Sequence, residues 1–237
     1  MHKLLEVAGG LIFPPRCPIC DSVVSMLNKG ICTHCMKKIQ YVKNPRCFKC
    51  GKHVAEEIIE YCEDCQARKH LYKQGRALYE YKEVANAIYR FKYSGRREYA
   101  EVFGEELSFY LGEYIRDLKP DGFVPVPMYP LKERKRGYNQ AVLLARSLGN
   151  HMQLPVYENL VKRVRNTGAL KLLNPEERLN NLKKAFILEE NGVKLNTIII
   201  IDDIYTTGST IDTIAKEFLE IGVENIYFVT LAIGETI

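Results

Sequence analysis

Between residues 75 and 237 the apolar positions recur with two periods in turn, and this predicts strands alternating with helices. The stretch GRALYEY (75–81) reads as a strand, and VANAIYRFKY after it sets Val84, Ile88 and Phe91 on one helical face. YAEVFGEELSFYLGEYIRDL sets Phe103, Leu107, Tyr110 and Tyr114 on one face of a second helix. GFVPVPMYP (122–130) is extended, because its prolines exclude a helix, and NQAVLLARSLGNHM (139–152) is helical. TIIII (197–201) is short, wholly apolar and β-branched, the composition of a central parallel strand covered on both faces. STIDTIAKEFLEIG follows as a helix with Gly222 as its C-terminal cap, and NIYFVTLAI is one more strand. The expected fold class is α/β with a parallel sheet.

Residues 1–70 read differently. All eight cysteines fall here, as Cys17/Cys20, Cys32/Cys35, Cys47/Cys50 and Cys62/Cys65, and the C-x2-C unit repeats every fifteen residues. Two residues between thiolates let a knuckle aim both sulfurs at one ion, and two knuckles complete a tetrahedral site. Eight thiolates make two such sites, with two structural Zn²⁺ expected. A single redox C-x-x-C does not explain four evenly spaced copies. Pairing neighbours, first with second and third with fourth, closes the shortest loops; a cross-brace fits the same spacing. Four thiolates leave no open coordination position, so the zincs read as staples, with His34 and His53 as bystanders. The expected division is a double zinc-ribbon module over 1–70 and an α/β domain over 71–237.

Charge and composition narrow the function classes. No apolar run approaches the roughly 20 residues of a membrane helix. The opening MHKLLEVAGGLIFPP is interrupted by Glu6 and lacks a small-residue cleavage site, so it does not read as a signal peptide. The reading is cytoplasmic, where cysteines serve as metal ligands more than as disulfides. The net charge is +5, yet residues 131–184 alone hold twelve Lys/Arg and four acids, a local charge of +8. Residues 1–70 carry eleven Lys/Arg and seven acids. Two all-thiolate zinc sites add about −4, leaving that module near neutral and no evident footprint for nucleic acid.

IIIIDDIYTTGST (198–210) ends the most apolar run on two adjacent carboxylates. Open parallel sheets bind ligands at the carboxyl ends of their strands. The loop Thr206, Thr207, Gly208, Ser209 and Thr210 offers amides, hydroxyls and a glycine before a helix N-terminus, which together cradle a phosphate. It lacks the Gly-Lys-Ser/Thr ending of a P-loop and the G-x-G-x-x-G fingerprint. Carboxylates repel phosphate, so Asp202 and Asp203 must face another part of the ligand, and vicinal ribose hydroxyls suit them. The ligand class is a ribose 5-phosphate.

The same stretch resembles the PRPP loop of type I phosphoribosyltransferases. That resemblance implies that the acids hold the ribose hydroxyls and the loop holds the 5′-phosphate. VPVPMYPLKERKRGYNQ (124–140), FKYSG (91–95) and ERLNNLKKAF (177–186), with the zinc ribbon ahead of them, resemble the ComF family of competence proteins over nearly the whole chain. The family's Arg-x-Arg-x-Thr segment is matched by Arg163, Arg165 and Thr167, but Leu170 stands where a glutamine is common. The resemblance implies a type I phosphoribosyltransferase-like sheet, a pyrophosphate loop after Val-Pro-Val-Pro and a closing loop over 163–181. It also implies Mg²⁺ with PRPP, and Arg134, Arg136, Arg163 and Arg165 neutralise the pyrophosphate. As an enzyme the chain would transfer a phosphoribosyl group to an unidentified acceptor, with Asp202 and Asp203 positioning the ribose and Asp203 as a candidate base.

The family also implies a role in natural transformation, handling single-stranded DNA beside a helicase-like competence protein. Single-strand grooves combine cations with aromatic platforms. The basic segment 131–184 has few aromatics in or beside it (Tyr138, Tyr157, Phe186), while Tyr89, Phe91 and Tyr93 lie beside Arg90 and Lys92. A non-catalytic DNA-binding factor is the alternative reading. A third is a degenerate fold that keeps PRPP or DNA binding without turnover.

Overall fold

The computed structural model describes residues 14–25, 30–165, 185–189 and 192–234. The N-terminal stretch read above against a signal peptide, most of the expected closing loop, Thr167 and Leu170 lie outside these residues. Two short helices belong to the zinc knuckles, α1 (Thr33–Met36) and α2 (Glu63–Ala67). They are followed by β1 (Gln74–Glu80), α3 (Tyr81–Tyr93), α4 (Tyr99–Asp117), β2 (Gly122–Pro125), α5 (Pro130–Arg136) and α6 (Gln140–Met152). The chain then runs through β3 (Val161–Arg163), β4 (Phe186–Leu188), β5 (Thr197–Tyr205), α7 (Ser209–Glu220) and β6 (Asn225–Ile233).

Four strands form one sheet in the order β1-β6-β5-β2, and all three pairings are parallel. The tetra-isoleucine strand thus lies inside the sheet, as its lack of polar positions requires. Ile199 and Ile201 face a core shared with α3, α4 and α6, whereas Ile198 and Ile200 face α7. The expected α/β parallel sheet is present, and its topology is consistent with a type I phosphoribosyltransferase-like fold. Among the described residues no helix is long and apolar enough to cross a membrane.

Three local differences have simple causes. The inward stripe of α4 is Phe103, Leu107, Leu111 and Ile115, not the Tyr110 and Tyr114 expected there. A spacing of four carries the apolar row on to Leu111 and Ile115, and the tyrosines sit on its shoulder. Tyr110 stacks on Tyr41 (centroids 4.0 Å apart), and Arg76 lies over the ring of Tyr114. The central strand does not stop at Ile201: its pairing with β6 continues to Tyr205, so both aspartates are strand residues. A short helix, α5, follows the extended proline run, opened by Pro130 at its first turn and closed by Gly137 at φ 88°. The short antiparallel pair β3–β4 matches Arg163 with Phe186.

The cysteines gather as neighbours: Cys17, Cys20, Cys32 and Cys35 in one cluster, and Cys47, Cys50, Cys62 and Cys65 in the other, with sulfurs in each within 4.8 Å of one another. The cross-brace is ruled out. Cys20 Sγ and Cys32 Sγ are 3.8 Å apart, and Cys50 Sγ and Cys62 Sγ 3.6 Å. An ideal ZnS₄ tetrahedron with bonds of about 2.3 Å has edges of about 3.8 Å, so the donor sets fit zinc. His53 bonds the Pro45 carbonyl and joins neither cluster.

The two clusters are seated differently. The first lies against the α3–α4 corner, where the Arg90 guanidinium donates to the Pro18 and Ile19 carbonyls, and Asp21 accepts from Arg96 and Tyr99. The second is part of the main core: Cys47, Cys50 and Cys62 are buried together with Tyr72, Ile198, Ile200 and Phe228. Losing its metal leaves unpaired thiolates inside that core. Cys50→Ser is therefore expected to lower the melting temperature by about 10 °C or more. Cys20→Ser, at an exposed ligand, should cost distinctly less. Metal analysis beside each melt should read one zinc fewer per chain in both.

Candidate ribose-phosphate site

The site is built on the carboxyl half of β5. Asp203 is 9% exposed, and the Lys92 ammonium donates to both its oxygens, at 2.9 and 2.8 Å. Lys92 comes from the last turn of α3, whose apolar face (Val84, Ala87, Ile88, Phe91) holds the helix against the sheet and so aims the lysine. Asp202 Oδ1 accepts the Asp203 backbone N–H at 2.8 Å. Burial, and next the charge of Asp203, push the Asp202 carboxyl up to about 7, while Lys92 and Arg163 pull the other way.

A wall of cations faces the two acids. Arg163, on β3, stands over the Phe186 ring, and burial lowers its pKa against the attraction of Asp202. Arg136 closes α5, donates to Gln140 Oε1 at 2.6 Å and stacks on Tyr93. Lys132 has its pKa lowered by burial and by the nearby Arg163 and Arg136. Asn139 holds the wall to the sheet, capping α6 through the Ala141 N–H and donating to the Val126 carbonyl at 2.9 Å. A cleft of about 170 Å³ is lined by Lys92, Lys132, Arg136, Arg163, both aspartates and Thr210. Of the arginines singled out above, Arg136 and Arg163 meet here; Arg134 and Arg165 are exposed and do not line the cleft. Lys92 and Lys132 went unassigned. Lys92 lies within the quoted FKYSG segment, but nothing in its spacing reveals a partner 111 residues on.

The loop Thr206–Thr210 follows at once. Gly208 has φ 75°, and a Cβ there would stand 2.7 Å from Tyr205 Oη and 3.0 Å from His70 Cε1, so the position excludes any side chain. No side chain caps α7 at this end, so its first-turn N–H groups point into the loop. Thr207 Oγ1 donates to Ser209 Oγ at 3.2 Å. Behind the loop, Asp212 of α7 accepts the Leu71 N–H at 2.8 Å and pairs with His70 Nδ1 at 2.7 Å. The Tyr72 and Tyr205 hydroxyls meet at 2.7 Å. The segment leaving the second zinc cluster is thus the backing of the loop, a contact between residues about 140 apart that no local pattern announces.

The chain resembles known proteins along most of its length. Residues 9–66 match the double zinc ribbon domain. Competence protein F of Haemophilus influenzae is 31% identical over 89% of this chain and 93% of its own. The chain belongs to the ComF family of competence proteins. Family members also include competence protein ComFC of Bacillus subtilis, 29% identical over 91% of this chain and 93% of the relative. The DNA utilization protein YhgH of Escherichia coli is 28% identical over 90% and 94%. The family assignment and the two four-cysteine zinc sites agree with the resemblance read from the motifs.

Because burial raises the Asp202 pKa above its ordinary value, the unfolded chain releases this proton before the folded one does. Stability from this residue is therefore greatest at low pH and falls as pH rises towards 7, through the folded pKa. The melting temperature of Asp202→Asn relative to the unsubstituted protein should rise between pH 5.5 and 8. Paired thermal melts measure it; a flat difference would place Asp202 in a more watery setting.

Proposed function

We propose that this chain binds Mg²⁺-PRPP at the carboxyl end of β5 and acts in DNA uptake during natural transformation, as a phosphoribosyltransferase-like protein. The observation that carries the reading is the meeting of two strand-borne carboxylates, four cations and a glycine-backed loop at one strand end. The loop amides of Thr206 to Thr210 would take the 5′-phosphate. Asp202 and Asp203 would accept from the ribose hydroxyls once Lys92 turns from Asp203 to the diphosphate. Arg136, Arg163 and Lys132 would face the diphosphate, where they stabilise negative charge as the bond from C1 to the leaving oxygen breaks. The acids offer hard oxygen donors suited to Mg²⁺, which would neutralise part of the diphosphate charge. A larger cleft, about 750 Å³, shares Pro127, Met128, Asn139 and Arg163 with the first and gives an acceptor room to approach.

The alternative is a single-stranded-DNA-binding factor without turnover, using the basic segment 131–184. The exposed Arg134 and Lys135 of α5 favour it. So do relatives whose names speak of competence and DNA utilization, and a helicase-like competence protein is the partner such a factor would serve. Titration calorimetry with Mg²⁺-PRPP separates the readings. Binding by the native protein, with Asp202→Asn/Asp203→Asn weaker by about a hundredfold, is expected from losing charge-assisted hydrogen bonds worth about 1.5–3 kcal/mol each. Equal binding by both proteins, or none by a zinc-loaded native sample, would remove the ribose-phosphate reading.

A further inference from the structure

The face of α3 opposite its core is aromatic. Val84, Ala87, Ile88 and Phe91 pack inward, yet Tyr89 and Tyr93 on the outer side are 61% and 63% exposed. Tyr81, at the start of the helix, is 41% exposed. A solvated helix face has no need of such residues: lysine or glutamate would serve the helix as well without presenting apolar rings to water. The two outer rings are held as a unit, their centroids 5.1 Å apart and tilted by 50°. The Arg136 guanidinium lies over Tyr93, 4.9 Å from its centre.

Charge surrounds the stripe on the side that faces the cleft. Lys92 lies between Tyr81 and Tyr89 around the helix and reaches Asp203. Beyond Tyr93 stands α5, with Lys132, Arg134, Lys135 and Arg136 against the single acid Glu133. At the other end Tyr81 borders a cleft of about 610 Å³ whose far wall is Lys52 and His53 of the second zinc knuckle, and whose floor includes Ile204 and Thr206. The thirteen residues of α3 span about 20 Å. Cationic groups thus border the pair of open aromatic faces on the outer side of the helix.

We propose that the Tyr89–Tyr93 face of α3, with Arg136 and the neighbouring cations of α5, is the platform on which single-stranded nucleic acid stacks. An acidic peptide would use the cations but does not offer a flat ring at every step. A duplex hides the faces of its bases. A single strand presents a base and a phosphate at every step, which matches rings flanked by cations. The platform differs from the basic segment considered above in resting on a helix earlier in the chain, with α5 supplying the shared charge. The inference rests on the DNA-handling part of the proposed function and is independent of PRPP.

The test is fluorescence anisotropy with a labelled oligothymidylate and the zinc-loaded full chain. Tyr89→Ala/Tyr93→Ala should weaken binding roughly tenfold or more. Tyr89→Phe/Tyr93→Phe, which keeps the rings, should restore it. Phe109→Ala, at a still more exposed ring on α4 (79%), should change nothing. Calorimetry with Mg²⁺-PRPP on Tyr89→Ala alone, whose ring does not hold Arg136, should match the native protein, and an absence of PRPP binding throughout would sink the ribose-phosphate reading while leaving the platform standing. Three results would overturn the platform. These are undiminished oligothymidylate affinity in the alanine pair, no binding by the native chain, or self-association in sedimentation that the alanine pair abolishes, which would make the stripe a contact between copies.

Discussion

Two carboxylates on adjacent residues, at the end of a strand covered on both faces, are the constraint around which this fold is arranged. Asp202 cannot be ionised cheaply beside the charge of Asp203 in so dry a place. Lys92 answers Asp203 directly from α3, and Arg163 leans over Asp202 from β3. The helix supplying the lysine is held by its own apolar stripe, and the wall carrying Lys132 and Arg136 is tied down by Asn139 and Gln140. The charges of Asp202 and Arg163 attract one another where both line the cleft. Such a balance suits a site that must trade its internal counter-ions for those of a ligand.

The zinc clusters serve this site from behind. The first fastens the corner between α3 and α4 through Arg90, Arg96 and Tyr99, and so steadies the helix that carries Lys92. The second shares its core with the sheet and sends His70, Leu71 and Tyr72 to the back of the glycine loop. Zinc at four thiolates has no chemistry to offer a substrate, but it can make a small, core-poor segment rigid enough to act as a wall.

Much of this was legible in the sequence because the signals were local. The fifteen-residue cysteine repeat, the β-branched run before Asp202 and the Thr-Thr-Gly-Ser-Thr loop each declare themselves within a few residues. The helices followed from periodicity, although the stripe of α4 was misread where tyrosines stood beside leucines of the same spacing. What stayed hidden was non-local. Lys92 shows no sign of facing Asp203 until the helix is docked, and Asp212 looks like any acid near a helix start until His70 arrives. Helical spacing does set Tyr89 and Tyr93 away from the face of Val84, Ile88 and Phe91, but only the docked helix shows that nothing covers them.

The position of β6 has a consequence for how the chain reaches this state. β6, made after both of its partners, lies not at an edge but between β1 and β5. During synthesis the cysteine knuckles can close early, since each joins residues near in sequence. The sheet cannot: β1 and β5 have no common neighbour until β6 has left the ribosome. Until then Tyr72 lacks Phe228, against which its ring packs edge-on at 4.9 Å. A nascent chain would pass through a stage in which the amino-terminal part holds metal while the apolar faces of β1 and β5 wait uncovered. Joining β1 to the rest of the sheet is therefore a late event, and β6 acts as its keystone.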